Sequence, residues 1–196
     1  MQETYLQTYE QMKNRVIERR AQLDRLLDYM EKNTNWLKAP ASTKFHLSCE
    51  SGLLMHTMNV CENILKLREA LYPSVSEESC VVVAMLHDLG KVGMPGNPQY
   101  IPAQPTERQR QYGYGPKYPF EFNNDLVYLS VPVRSLYLSL PFIKLSQEEV
   151  QAIVYHDGQY VDDNHSVATK EEPLTLLLQY ADSWSGFVTE KESRKK

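Results

Sequence analysis

Apolar positions fall at helical spacing in several stretches, separated by one long segment of different character. Over residues 3–31, Tyr5, Tyr9, Met12, Val16, Leu23, Leu26, Leu27 and Met30 recur at steps of three, four or seven, with charged residues between them. One amphipathic helix is predicted there, its stripe a packing face, with Asn33 and Asn35 as terminators and Pro40 beyond. Residues 51–71 give a second helix: Leu53, Leu54, Met58, Val60, Cys61, Ile64, Leu65 and Leu67 form a wide apolar face, and Pro73 follows its end. A third is predicted from about residue 76 to His87, around Val81–Leu86, with Ser74 and Glu77 at capping-box spacing before it. The β-branched run alone also suits a strand; the acidic residues and the cap favour helix.

Residues 92–121 break the rhythm. Six prolines and four glycines are interleaved there with Tyr100, Tyr112, Tyr114 and Tyr118. So long a segment between helices predicts a functional loop, with short strands or a lid. Arg108, Arg110 and Lys117 can meet phosphate in it or form an ordinary solvated face. Helical spacing returns over 125–140, where Pro132 breaks or starts a helix. It continues over 147–156, opened by a capping box at Ser146 and Glu149, and over a last helix that Pro173 opens and that runs to Asp182. The organisation expected is a helical arm over 1–40 packed on a body over 41–188, with a frayed tail over 189–196.

The chain has 196 residues, 42% of them hydrophobic and 23% charged, which suits one domain with a real core. With 21 Lys and Arg against 25 Asp and Glu, its formal charge of −4 excludes a generally basic nucleic-acid binder. The three cysteines form no CxxC pair, so reduced thiols packed as small core residues are expected. The N-terminus lacks a signal-type apolar stretch, and no segment suits a bilayer span. A cytoplasmic protein that does not enter membranes is therefore expected, and the N-terminal helix can mediate a homo-oligomer.

Polar residues interrupt the apolar helices at particular places. His56 lies amid Leu54, Met55 and Met58; His87 and Asp88 end the Val81–Leu86 run; His156 ends the helix over 147–156; Asp182 sits between Leu178 and Trp184. A buried ionisable group needs compensation. Hydrogen-bonded core pairs would supply it, and so would one divalent metal, whose natural ligands are neutral imidazoles and carboxylates. Composition and periodicity leave both open.

Four segments in order, SGLLMHTMNV (51–60), MLHDLGKVG (85–93), EEVQAIVYHDGQY (148–160) and PLTLLLQYADSWS (173–185), resemble the HD-domain superfamily of metal-dependent phosphohydrolases. They are similar in particular to phage-type HD hydrolases and the HD domain of bacterial 3′–5′ exoribonucleases, and Phe45 and His46 add to the likeness over about residues 45–186. The resemblance implies an all-α HD-domain helical bundle. It implies metal ligands at His56, His87, Asp88 and Asp182, and places Lys91 near a substrate phosphate. The metal is Mn, Ni, Co, Fe, Zn or Mg, with one ion expected per chain. The pattern departs from the family at Val131, which stands where a second-metal histidine is usual; Arg134 and Ser135 follow it. That makes a two-metal site less expected and leaves His156, or His46, to meet substrate or water.

The activity so implied is hydrolysis of a nucleotide or short oligonucleotide phosphoester by metal-activated water. The expected catalytic residues are Asp88, Lys91 and His156, and the substrate-binding residues Lys91, Arg134 and Ser135. The tyrosine-rich loop would cover a nucleobase. The partner is then a small phosphoester or a short single strand. The competing expectation is an HD-type module that binds a metal or nucleotide with weak or no turnover.

Overall fold

The computed structural model describes residues 2–191, which form helices and one small hairpin, an all-α fold as expected. In chain order these are α1 (Gln2–Arg15), α2 (Arg20–Asn33), α3 (Gly52–Leu71), α4 (Glu77–Leu86), β1 (Tyr100–Pro102), α5 (Glu107–Gln111), β2 (Phe120–Phe122), α6 (Val131–Ser139), α7 (Gln147–Val154) and α8 (Pro173–Trp184). Helix α4 is the centre: from Cys80 to Leu86 every residue is buried. A helix apolar on all sides has no face for solvent, and α1, α3, α6, α7 and α8 all pack on it. Tyr9, Met12 and Val16 of the N-terminal region and Leu23, Leu26, Leu27 and Met30 of α2 join the same core. Cys61 and Cys80 are buried as expected; Cys49 is exposed.

The single helix predicted over 3–31 is two. The break lies where the Glu78 carboxylate, at the first turn of α4, accepts the backbone N–H groups of Ile17, Glu18 and Arg19 at 2.7, 2.8 and 3.2 Å. Those donors lie in the link that leads into α2, where no helical partner is at hand. Arg19 also donates to Glu78 at 2.8 Å and in a fork to Glu149 at 2.8 and 2.7 Å, tying α2 to α4 and α7. Replacing Glu78 by alanine is expected to lower stability by about 2–4 kcal/mol, read as a lower urea midpoint. Burial pushes the Glu78 carboxyl up, but Arg19 and the backbone donors outweigh it and hold it below its usual range. Its contribution is therefore complete above the unfolded-state pKa and fades as pH falls through the lower folded value.

Local signals differ in how they are used. The N-cap of α4 is Ser76, accepting from Ser79 N at 3.3 Å, not Ser74; Glu77, the proposed cap partner, pairs with Arg15 at 2.6 Å instead. The Ser146–Glu149 capping box is present. Pro132 starts α6 rather than breaking a helix. Within the long loop, β1 and β2 pair antiparallel, Tyr100 opposite Phe122, with α5 between them.

After α4 the chain turns through a 3-10 helix, Leu89–Val92, that lies on α6. Gly90 N donates to Ser135 Oγ at 2.8 Å, Ser135 Oγ donates to His87 O at 2.9 Å, and Arg134 donates to Gly90 O at 3.1 Å. A Cβ at Gly90 would strike the Val131 carbonyl. Gly93 closes the turn at φ +83°, which glycine adopts without strain. α6 thus fixes the direction in which His87 and Asp88 leave α4.

Candidate metal centre

Four elements bring histidine and aspartate to one end of the bundle. α3 carries His56, the end of α4 gives His87 and Asp88, the residue pair after α7 gives His156, and α8 gives Asp182. His56, His87, Asp88 and His156 are all buried. His56 Nε2 lies 3.0 Å from Asp182 Oδ1 and 3.5 Å from Asp88 Oδ2; His87 Nε2 lies 3.5 Å from Asp88 Oδ2 and 4.0 Å from Asp182 Oδ1. Ligands held about 2.0–2.2 Å from one ion stand roughly 3–3.5 Å apart, so these separations suit a common cation.

The anchoring of the rings points the same way. His87 Nδ1 meets Ala84 O and His156 Nδ1 meets Ile153 O, both at 2.8 Å, while His56 Nδ1 meets Glu190 at 3.0 Å. Each contact uses Nδ1–H and turns Nε2 toward the cluster. The Nε2 atoms of His56 and His87 are buried with no aligned hydrogen-bond partner, although Asp182 is within range of the first. Buried polar atoms without partners are uncommon, and here two converge beside two carboxylates. The residues present fit a divalent metal, and His56, His87 and Asp182 form one potential ligand group, with His87, Asp88 and His156 beside it. Imidazole with carboxylate suits Mn, Fe, Co, Ni or Zn and leaves the identity to be measured.

The charges act strongly on one another. Burial pushes the His56 imidazole down, but Asp182 and Glu190 outweigh it and raise it to about 10. His156 is likewise lowered by burial and raised further by Asp88 and Asp157, to about 9. For His87 burial wins and lowers it to about 4. Burial raises the Asp88 carboxyl, yet Lys91 and the histidines hold it well below its usual range. Lys91 Nζ donates to Asp88 Oδ2 at 2.5 Å.

Of the residues expected from the sequence, His56, His87, Asp88, Asp182, Lys91 and His156 come together. All but the two buried histidines His56 and His87 line a cleft of about 460 Å³, with Asp157, His46, Phe45, Tyr160 and Phe187 around them. Arg134 and Ser135 do not line that cleft. Arg134 is buried and donates to Gly90 O, Val127 O and Gln99 Oε1; Ser135 links Gly90 N to His87 O. Both brace the turn behind the ligands. Val131 and Arg134 line a second hollow of about 890 Å³ that adjoins the cleft at Asp157.

Sequence reading missed Glu190, placed in an expected frayed tail. Residues 192–196 of that tail lie outside the described residues, but Glu190 is buried. It accepts from His56, Asn59 at 2.9 Å and His46, so His46 is tied to the carboxylate behind His56 while it also borders the cleft. Among the described residues, no helix is long and apolar enough to cross a membrane. Comparison with protein families, with curated proteins and with solved structures finds no match for this chain. The helical bundle with its buried His/Asp cluster is compatible with an HD-type fold.

Proposed function

We propose that the chain is a metal-dependent phosphohydrolase acting on a nucleotide or short oligonucleotide phosphoester. One observation carries this reading: the inward-facing Nε2 atoms of His56 and His87 converge with Asp88 and Asp182 beneath a cleft that also presents Lys91. The HD-type order of the same residues supports it.

His56, His87, Asp88 and Asp182 would hold a divalent ion, which when bound would supply Lewis acidity at a phosphoryl oxygen and acidify water. Lys91 keeps Asp88 ionised through its 2.5 Å contact and turns its remaining donors to phosphate oxygens in the cleft. Asp182, whose side chain is the more open of the two aspartates, accepts the proton of the attacking water. His156 presents Nε2 3.6 Å from Asp88 and 3.7 Å from Asp157; it donates from Nε2 to the leaving oxygen, with Nδ1–H on Ile153 O orienting the ring.

The test is turnover of bis-p-nitrophenyl phosphate and a panel of nucleotides by protein freed of metal with chelator, then given Mn²⁺, Ni²⁺, Co²⁺ or Mg²⁺. Activity restored by at least one ion, with that ion bound near one per chain, is expected. Tight metal and nucleotide binding with no turnover across the panel would replace this reading by the binding module.

A further inference from the structure

The hairpin insert between the His87–Asp88 turn and α6 carries rings that the fold leaves uncovered. Tyr112, Tyr114 and Tyr118 are 63%, 68% and 39% exposed. With Phe120, Arg108 and Lys117 they line a hollow of about 640 Å³. The Tyr112 and Tyr114 rings are stacked, with centroids 6.4 Å apart and planes at 26°. Lys117 Nζ sits 5.2 Å over the Tyr118 ring. These rings take no part in the hydrophobic core.

The hollow is joined to the metal centre by one side chain. Lys44 Nζ lies 6.0 Å from the Tyr118 ring centroid and 5.1 Å from that of Phe45. Phe45, 63% exposed, lines the cleft over Asp88 and Lys91. A path of aromatic faces and cations therefore runs from Lys91 through Phe45, Lys44 and Tyr118 to Tyr112 and Tyr114. Lys44, Arg108 and Lys117 face it against Glu121 in the hollow's wall, a local positive excess on a chain of net charge −4. Rings that accept any base face, alternating with cations that follow a phosphate backbone, are the physical requirements for holding a single strand.

We propose that this insert is a stacking platform for successive bases of a single-stranded nucleic acid whose terminal phosphoester lies over the His/Asp cluster. The choice of an oligonucleotide over a mononucleotide rests on the phosphohydrolase reading; the binding itself does not. The hollow and the cleft then take different nucleotides of one strand, and the scissile end is the one beside Lys91.

The experiment is fluorescence anisotropy of 5′-labelled oligo(dT) of one, two, four and eight nucleotides, with the full chain in chelator, so that no turnover intervenes. Affinity is expected to rise with length up to about four nucleotides. Tyr112→Ala combined with Tyr114→Ala should weaken the tetramer about tenfold or more, and Lys44→Ala should flatten the salt dependence by about one ion. Both variants alter exposed side chains, and an unchanged unfolding midpoint and Mn²⁺ affinity show that they are folded. Affinity independent of length, or a double variant that binds the tetramer like the parent, would overturn the platform. Length-dependent binding without turnover under any metal would leave the platform standing and remove the hydrolase reading.

Discussion

Asp88→Ala is expected to cost the protein both its metal and its turnover. Asp88 is the residue that the cluster shares: its Oδ2 is 3.5 Å from both His56 Nε2 and His87 Nε2, 2.5 Å from Lys91 Nζ, and its Oδ1 is 3.6 Å from His156 Nε2. Removing it takes away one ligand and leaves the Lys91 ammonium beside the same site with no carboxylate in contact. Breaking one partner from a buried ionic set costs about 3–5 kcal/mol, so metal affinity should fall about 10²–10⁴-fold by calorimetric titration with Mn²⁺. Turnover at saturating metal should fall about 10³-fold, since Lewis-acid stabilisation is worth several kcal/mol. The metal-free variant should also unfold at lower urea, because the ammonium is stranded. Asp88→Asn separates these effects: it keeps the shape and an acceptor for Lys91, so stability should largely return while metal affinity stays low. A metal-free Asp88→Ala protein with full activity would end the catalytic reading.

What the sequence disclosed was what short-range pattern controls. His56, His87, His156 and Asp182 were legible because each interrupts a helix whose other inward positions are apolar, and an ionisable group there has to be compensated. Helices α3, α7 and α8 were legible because their periodicity runs unbroken and their ends carry proline or a cap, and α4 because acidic residues and a serine precede its uniformly apolar run. The break between α1 and α2 was not, because Val16 is buried and keeps the apolar rhythm through it. The cause of the break is a carboxylate, Glu78, that only the tertiary fold delivers.

The bracing role of Arg134 was hidden for a related reason. Arg134 looked like a phosphate ligand because a cation near an HD segment invites that role. The fold instead spends its donors on the carbonyls of Gly90 and Val127, since a turn packed against α6 has backbone acceptors that must be paired. Ser135 does the same for Gly90 N and His87 O. These residues act on the site through the position of His87 and Asp88, a dependence that spacing along the chain does not express.

Glu190→Gln is the second substitution with a large expected effect, and it tests the part of the site that pattern did not reveal. The chain beyond α8 passes through a π-helical turn, Ser185–Thr189, that returns Glu190 to α3. There its carboxylate lies 3.0 Å from His56 Nδ1 and takes Asn59 Nδ2 at 2.9 Å and His46 from the other side. Burial pushes that carboxyl up, but His46, His56 and Asn59 together hold it far below its usual range. An ionised acceptor on Nδ1–H fixes the tautomer of His56 and makes its Nε2 a stronger donor to a metal. Glutamine keeps the size and one acceptor oxygen but removes the charge. Mn²⁺ affinity should therefore fall about 10–100-fold, with His46→Ala, which loosens Glu190 from behind, giving a smaller loss in the same direction. Calorimetric titration gives the affinities and urea unfolding of the metal-free proteins gives the control. A lowered unfolding midpoint with unchanged Mn²⁺ affinity would assign Glu190 to holding the chain end on α3 and nothing more; lowered affinity with the fold intact makes it the residue that positions His56.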